Sequence, residues 1–141
     1  MIMDFDKDFL GRLFEQAIES PRLRQSFDLR TSSADSSQRI LNALLPRTVV
    51  SIHRHPNTSE TVVCLCGKMD EVIYEESDSD KEIPSLREVQ RIRLGPIEAR
   101  YGCQVPMGAW HTVEVIEPSV IFEAKDGAYT PLTIEDVWSY E

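Results

Sequence analysis

His53-Arg54-His55-Pro56-Asn57-Thr58-Ser59-Glu60 and, later, Pro106-Met107-Gly108-Ala109-Trp110-His111 together hold all 3 histidines of the chain. Alternate side chains of a β-strand share a face, so His53 and His55 point together and Arg54 points away. Pro56 to Ser59 are turn formers that let Glu60, the first residue of the next extended run, fold back toward the pair. Two imidazoles and a carboxylate then converge on one point, and His111 can reach it from a later strand. Such a donor set suits a divalent transition metal: Fe, Zn, Ni or Mn.

Working outward, Thr48–His55 is expected to be a strand with Val49, Ser51, His53 and His55 inward and Val50 and Ile52 outward. Gln38–Leu45 precedes it as another strand, with Gln38 and Asn42 on one face, and a histidine strand beside an amide strand is a plausible ligand pocket. Met69–Glu76 and Leu86–Leu94 suggest a long hairpin with charges paired across it, joined by an acidic loop over residues 77–84. Arg100–Val105, Trp110–Glu117 and Val120–Lys125 are three further short strands, punctuated by Pro106, Gly108 and Pro118. Cys64 and Cys66 share parity with Glu60 and would face the interior, either as extra ligands or as small buried apolar groups.

Before these strands, Phe5, Phe9, Leu10, Leu13, Phe14, Ala17 and Ile18 form one stripe of a helix from Asp4 to Ser20. Asp4 or Asp6 would cap it, and Pro21 would stop it. Residues 21–37 are polar and read as a loop. Ile134, Val137 and Trp138 near the C-terminus have helix-like spacing and would cover an open end of the strands.

With 141 residues the chain has room for one structural domain. Residues 1–36 supply the helix and polar loop and residues 37–141 the β-domain. The formal net charge of -9 repels phosphate backbones and anionic lipid surfaces, which argues against nucleic acid and membrane partners. Arg22, Arg24, Arg30, Arg39, Arg47 and Arg54 nonetheless lead into the histidine motif, so an anionic small molecule remains open. Three cysteines without framework spacing, no long apolar run and an acidic start suggest a reduced, cytoplasmic protein.

His-x-His, then Glu60, then Gly67, and later Pro-x-Gly-x-x-His, resemble the two motifs of the cupin superfamily. The resemblance implies an all-β fold, a cupin jelly-roll barrel with an N-terminal α-helix, and a metal held by His53, His55, Glu60 and His111. Two positions depart from the pattern: Arg100 stands where a glycine is usual, with Gly102 nearby, and Val115 replaces a polar residue four after His111. His111 would then need another partner to orient it.

Ser20-Pro21-Arg22-Leu23-Arg24, Gln38-Arg39, Leu45-Pro46 and the Glu-x-Lys-x-Gly-x-Tyr-x-Pro run from Glu123 to Pro131 extend the likeness over nearly the whole chain. With them the sequence resembles the WbuC-type cupin fold metalloproteins, although Arg30 stands where a histidine is often seen. That family is associated with bacterial surface-polysaccharide gene clusters and has no defined activity. The resemblance implies a metal-binding cupin acting on a small sugar or sugar-nucleotide-like molecule, or a metal-dependent binding module without catalysis. Candidate substrate-binding residues are Gln38, Asn42, Lys125 and Tyr129, and candidate catalytic residues are Glu60, if it is a base instead of a ligand, and Tyr129. Lys125 and Tyr129 equally fit a surface ion pair and a rim aromatic. Cupins often pair through their sheets, and with the apolar helix this implies a homodimer.

Overall fold

The computed structural model describes residues 2–77 and 85–139. The expected acidic loop therefore lies, from residue 78 to 84, outside the described residues. One helix and six strands follow in the order α1 (Lys7–Glu19), β1 (Arg24–Asp28), β2 (Ser37–Leu44), β3 (Glu60–Glu76), β4 (Leu86–Leu94), β5 (Gly102–Val105) and β6 (Trp110–Asp126). Among the described residues they form one antiparallel sheet in the order β1-β2-β6-β3-β4, with β5 also on β3, and no strand pairing there closes it into the expected barrel. The helix starts where Asp6 accepts a hydrogen bond from the Phe9 amide at 2.8 Å, so Asp6 is the cap and Asp4 is not.

Two long strands replace what the sequence suggests are four short ones. β3 runs through Gly67 and β6 runs through Pro118, with bulges where the two meet between Cys64 and Met69. A side chain at Gly67 would put its Cβ 2.2 Å from the Pro118 carbonyl oxygen, and Gly67 sits at φ +90°. Ser119, fully buried, fastens the bulge by donating to backbone carbonyls and accepting from the Lys68 amide at 3.0 Å. A bulge bends a strand and resets its parity, which lets one strand serve two parts of the fold. The first half of β3 pairs with β5 and the second half with β4.

The bulge also divides the cysteines. Cys64 packs in the inner core with Leu44, Val62, Met69, Leu94 and Ile121, whereas Cys66 packs on the outer cluster beneath the helix, not inward with Glu60 as parity implied. In that outer cluster Leu13 and Ala17 of α1 meet Leu41, Ala43 and Val120. The middle of the helix's apolar stripe is thus covered by its own sheet, at about 1.5–3 kcal/mol for each large side chain buried, while Phe5 and Ile18 stay exposed.

Three other expectations change. Arg24–Asp28, within the expected loop, is an edge strand paired residue for residue with Leu44–Ile40. Thr48–Ser51 is not a strand: Arg47 at φ 74° turns the backbone, leaving Val49 82% exposed and Ser51 exposed, while Val50 lines the interior cavity. Near the C-terminus the structure has only a short 3-10 turn, Ile134–Asp136, with Ile134 exposed. This segment docks along the histidine segment instead of capping it as a helix, through Arg54 N–H to Asp136 O at 3.0 Å and Trp138 N–H to Ile52 O at 2.8 Å.

The β3–β4 hairpin matches the expectation, including its cross-strand charges. Buried Asp70 accepts from Arg93 Nε at 2.5 Å and Arg91 Nη1 at 3.0 Å. The exposed arginine pair answers a carboxylate that β3 buries.

Candidate metal centre and adjoining cavity

His53 and His111 are brought side by side by a two-way backbone pair: the His53 amide donates to His111 O at 3.0 Å and the His111 amide to His53 O at 2.8 Å. Directly opposed residues on antiparallel segments share a face, and their rings lie 4.3 Å apart between centroids. His55 is set by the Pro106–Ala109 turn, whose Gly108 amide donates to His55 O at 2.9 Å. Gly108 sits at φ +80°, a conformation glycine adopts without strain, which accounts for the glycine in the second motif. Glu60 is the first residue of β3, opposite Val105 and Lys125.

One donor atom from each of His53, His55, Glu60 and His111 lies within 4.8 Å of the others. Glu60 Oε2 is 3.0 Å from His55 Nε2 and 3.5 Å from His111 Nε2. These three atoms are buried, yet none is aligned in a hydrogen bond. They aim at a shared point instead of at one another, as groups that share a cation do. His53 Nδ1 sits 2.7 Å from Ser51 O and His111 Nδ1 2.9 Å from Ala109 O. Donation from Nδ1–H to those carbonyls leaves each Nε2 with a free lone pair and supplies the orienting partner that Val115 cannot.

The electrostatics agree. Burial, with His111 beside it, lowers the His53 imidazole to about 4, so it is neutral at neutral pH. Burial works against the charge on Glu60, but the His111 and His55 imidazoles hold its carboxyl well below the usual range. Three imidazole nitrogens and an anionic carboxylate fit a divalent metal ion.

A cavity of about 430 Å³ adjoins the cluster, and His53, Glu60 and His111 form part of its wall. Asn42, expected to bind substrate, lines it too. Gln38, Lys125 and Tyr129 do not: they line a neighbouring space of about 260 Å³, and Ser26, Ile40 and Glu123 belong to both walls. There Gln38 Nε2 donates to Gly127 O at 2.9 Å, and Tyr129, 58% exposed, lies under Arg30 at 5.7 Å. Tyr129 therefore stands at a rim on the far side of Glu123 from the histidines.

Sequence reasoning did not single out Glu71 or Glu123 as site residues, and it named Arg24 only among the arginines that lead into the histidine motif. All three line the larger cavity. Burial, reinforced by Glu60, pushes the Glu123 carboxyl up to about 8, and burial with Glu60 and Glu123 nearby raises Glu71 well above the usual range. For Glu71 a signal was present, because it alternates with Met69 and Ile73 on an inward face.

Residues 5–84 match the profile of the domain of unknown function DUF6016, more than half of the chain. The chain belongs to the DUF6016 family. Its matched part carries His53, His55 and Glu60, while His111 lies beyond it. No curated protein matches the sequence. Among solved structures, this DUF6016 chain is similar to KdgF from Halomonas sp., at 14% identity and a TM-score of 0.55 over 78% of this chain and 84% of that one. Oxalate oxidase in complex with glycolate is similar at 14% identity and a TM-score of 0.56, over 78% of this chain and 54% of that one, so the chain spans about half its length. The Schizosaccharomyces pombe Cnp3 cupin domain is similar at 10% identity and a TM-score of 0.55, over 74% and 64%. These likenesses show the fold, which is that of the cupins. Among the described residues no helix is long and apolar enough to cross a membrane.

Proposed function

We propose that this chain is a metal-binding cupin that acts on a small hydroxylated molecule of the sugar or sugar-nucleotide kind, in the surface-polysaccharide setting that the WbuC-type resemblance implies. The observation that carries the reading is the convergence of His55 Nε2, Glu60 Oε2 and His111 Nε2, all buried and without hydrogen bonds, beside a cavity that Glu60 and His111 line. His53, His55, Glu60 and His111 would hold the ion. A bound divalent metal supplies Lewis acidity, polarising an oxygen that reaches it.

The chain's own residues do the rest. The Ser51 and Ala109 carbonyls fix the histidine tautomers. Glu60, flanked by two imidazoles at 3.0 and 3.5 Å, is better placed as a ligand than as a free base. Asn42 offers its Oδ1 to the cavity, and Tyr129 with Lys125 would meet only a part of the ligand that extends past Glu123.

Saturation-transfer NMR on metal-loaded protein with a panel of hexoses and nucleotide sugars tests the reading. Binding that the His53→Ala variant loses is expected, and conversion of the bound sugar distinguishes an enzyme from a binding module. Identical binding by wild type and variant would contradict a role for the cluster.

A further inference from the structure

Three side chains from three strands carry buried polar atoms that find no partner, and all three line the cavity beside the histidines. They are Arg24 Nε on β1, Asn42 Oδ1 on β2 and both carboxyl oxygens of Glu71 on β3. Glu71 is only 1% exposed. It pairs with Ile92 on one side and Val113 on the other, two pairs along β3 from Ile73 and His111. Natural proteins leave few such groups unsatisfied, because each costs on the order of a whole hydrogen bond. Several in one cavity mark a place where a ligand completes the bonding.

Their chemistry specifies the ligand. Arg24 can only donate, and among the ion pairs of the described residues neither Arg24 nor Arg22, on the same wall, has a carboxylate partner. This wall therefore calls for an anionic group. Asn42 Oδ1 can only accept, so it calls for a hydroxyl. Its amide already faces Glu123 Oε1 at 3.5 Å. Burial, with Glu60 and Glu123 nearby, raises the Glu71 carboxyl well above the usual range, and a protonated carboxyl both donates and accepts. A cavity of about 430 Å³ is the size of a small-molecule site.

We infer that the cavity is a built subsite for a small polyhydroxylated anion, with Arg24 taking the anionic group and Asn42 and Glu71 taking hydroxyls. The inference rests on the proposed substrate site and narrows it to sugar-like molecules that carry a carboxylate or a phosphate. Neutral sugars leave Arg24 unpaired and are rejected, since a site built to bond a group discriminates against its absence.

Calorimetric titration of zinc-loaded and metal-free protein with gluconate, glucose 6-phosphate and glucose tests this, and the two anions distinguish a carboxylate from a phosphate. At least one anion is expected to bind, and glucose is not. Arg24→Gln and Glu71→Met should each weaken that binding about tenfold or more while zinc stoichiometry is unchanged. Arg24→Lys should recover part of the affinity and guards against a folding defect. No binding of either anion, equal binding of glucose, or anion binding indifferent to both substitutions would overturn the subsite. Anion binding that depends on Arg24 and Glu71 in a protein that takes up no zinc would support the subsite and overturn the metal reading.

Discussion

Replacing Glu71 by methionine should stabilise the protein, and by more at pH 8 than at pH 5. The carboxyl is buried with both oxygens unpartnered, a state that costs about 1–3 kcal/mol relative to a satisfied or apolar group. Methionine has similar length and no polar atom to strand. The groups around it add the pH dependence: Glu60 on the same strand, Glu123 on β6 and Cys103 on β5, whose thiol burial pushes up to about 12. β4 contributes apolar Ile92.

Glu71 is raised in the folded state, so the fold holds a proton that the unfolded chain releases above about 4.5. Stability from this group is whole below that value and declines as pH rises toward the folded pKa, by about 1.4 kcal/mol per unit for one full proton. Urea midpoints of chelator-treated wild type and Glu71→Met at pH 5 and pH 8 measure it. A variant at least about 1 kcal/mol more stable at pH 8, with a smaller gain at pH 5, is expected. A variant less stable at both values would refute the reasoning, because it would mean that Glu71 makes structural bonds.

Gly67→Ala places a Cβ 2.2 Å from the Pro118 carbonyl oxygen at φ +90° and should cost about 2–3 kcal/mol by combined clash and backbone strain, read from the thermal midpoint. Arg54→Ala removes the 3.1 Å pair to buried Asp136 and the guanidinium 4.5 Å over Trp110. It should loosen the C-terminal segment, seen as faster proteolysis after residue 130 and a shift in tryptophan fluorescence, at about 1–2 kcal/mol of stability. Asp70→Asn weakens the bonds to Arg91 and Arg93, which with each other hold this carboxyl below its usual range against burial. Because a depressed carboxylate stabilises above its unfolded pKa, the loss should be present at pH 7 and vanish as pH falls through the acid range.

How much of this was legible in the sequence depended on how local the cause was. His53 and His55 are two residues apart and Gly108 belongs to a tight turn, so spacing and residue type alone brought the candidate ligands together. The bulge at Gly67 arises from contact with Pro118, far along the chain, and parity counted through it sent Cys66 to the wrong side. Arg24–Asp28 offers one apolar residue, Phe27, so no alternation announced an edge strand held by pairing with β2. Glu71 shares strand parity with Met69 and Ile73, but that signal was masked by the other acids of the 69–76 arm, Asp70, Glu75 and Glu76. Gln38 and Asn42 do share a face, but the cavity walls run across strands, and the two fall into different spaces.

Metal content of the purified protein, compared with His53→Ala, His55→Ala and His111→Ala by elemental analysis after loading and dialysis, tests the central claim most directly. Close to one divalent ion per chain in wild type, and a large loss in each variant with the fold intact by circular dichroism, is the predicted result. Equal metal content in wild type and all three variants would contradict it.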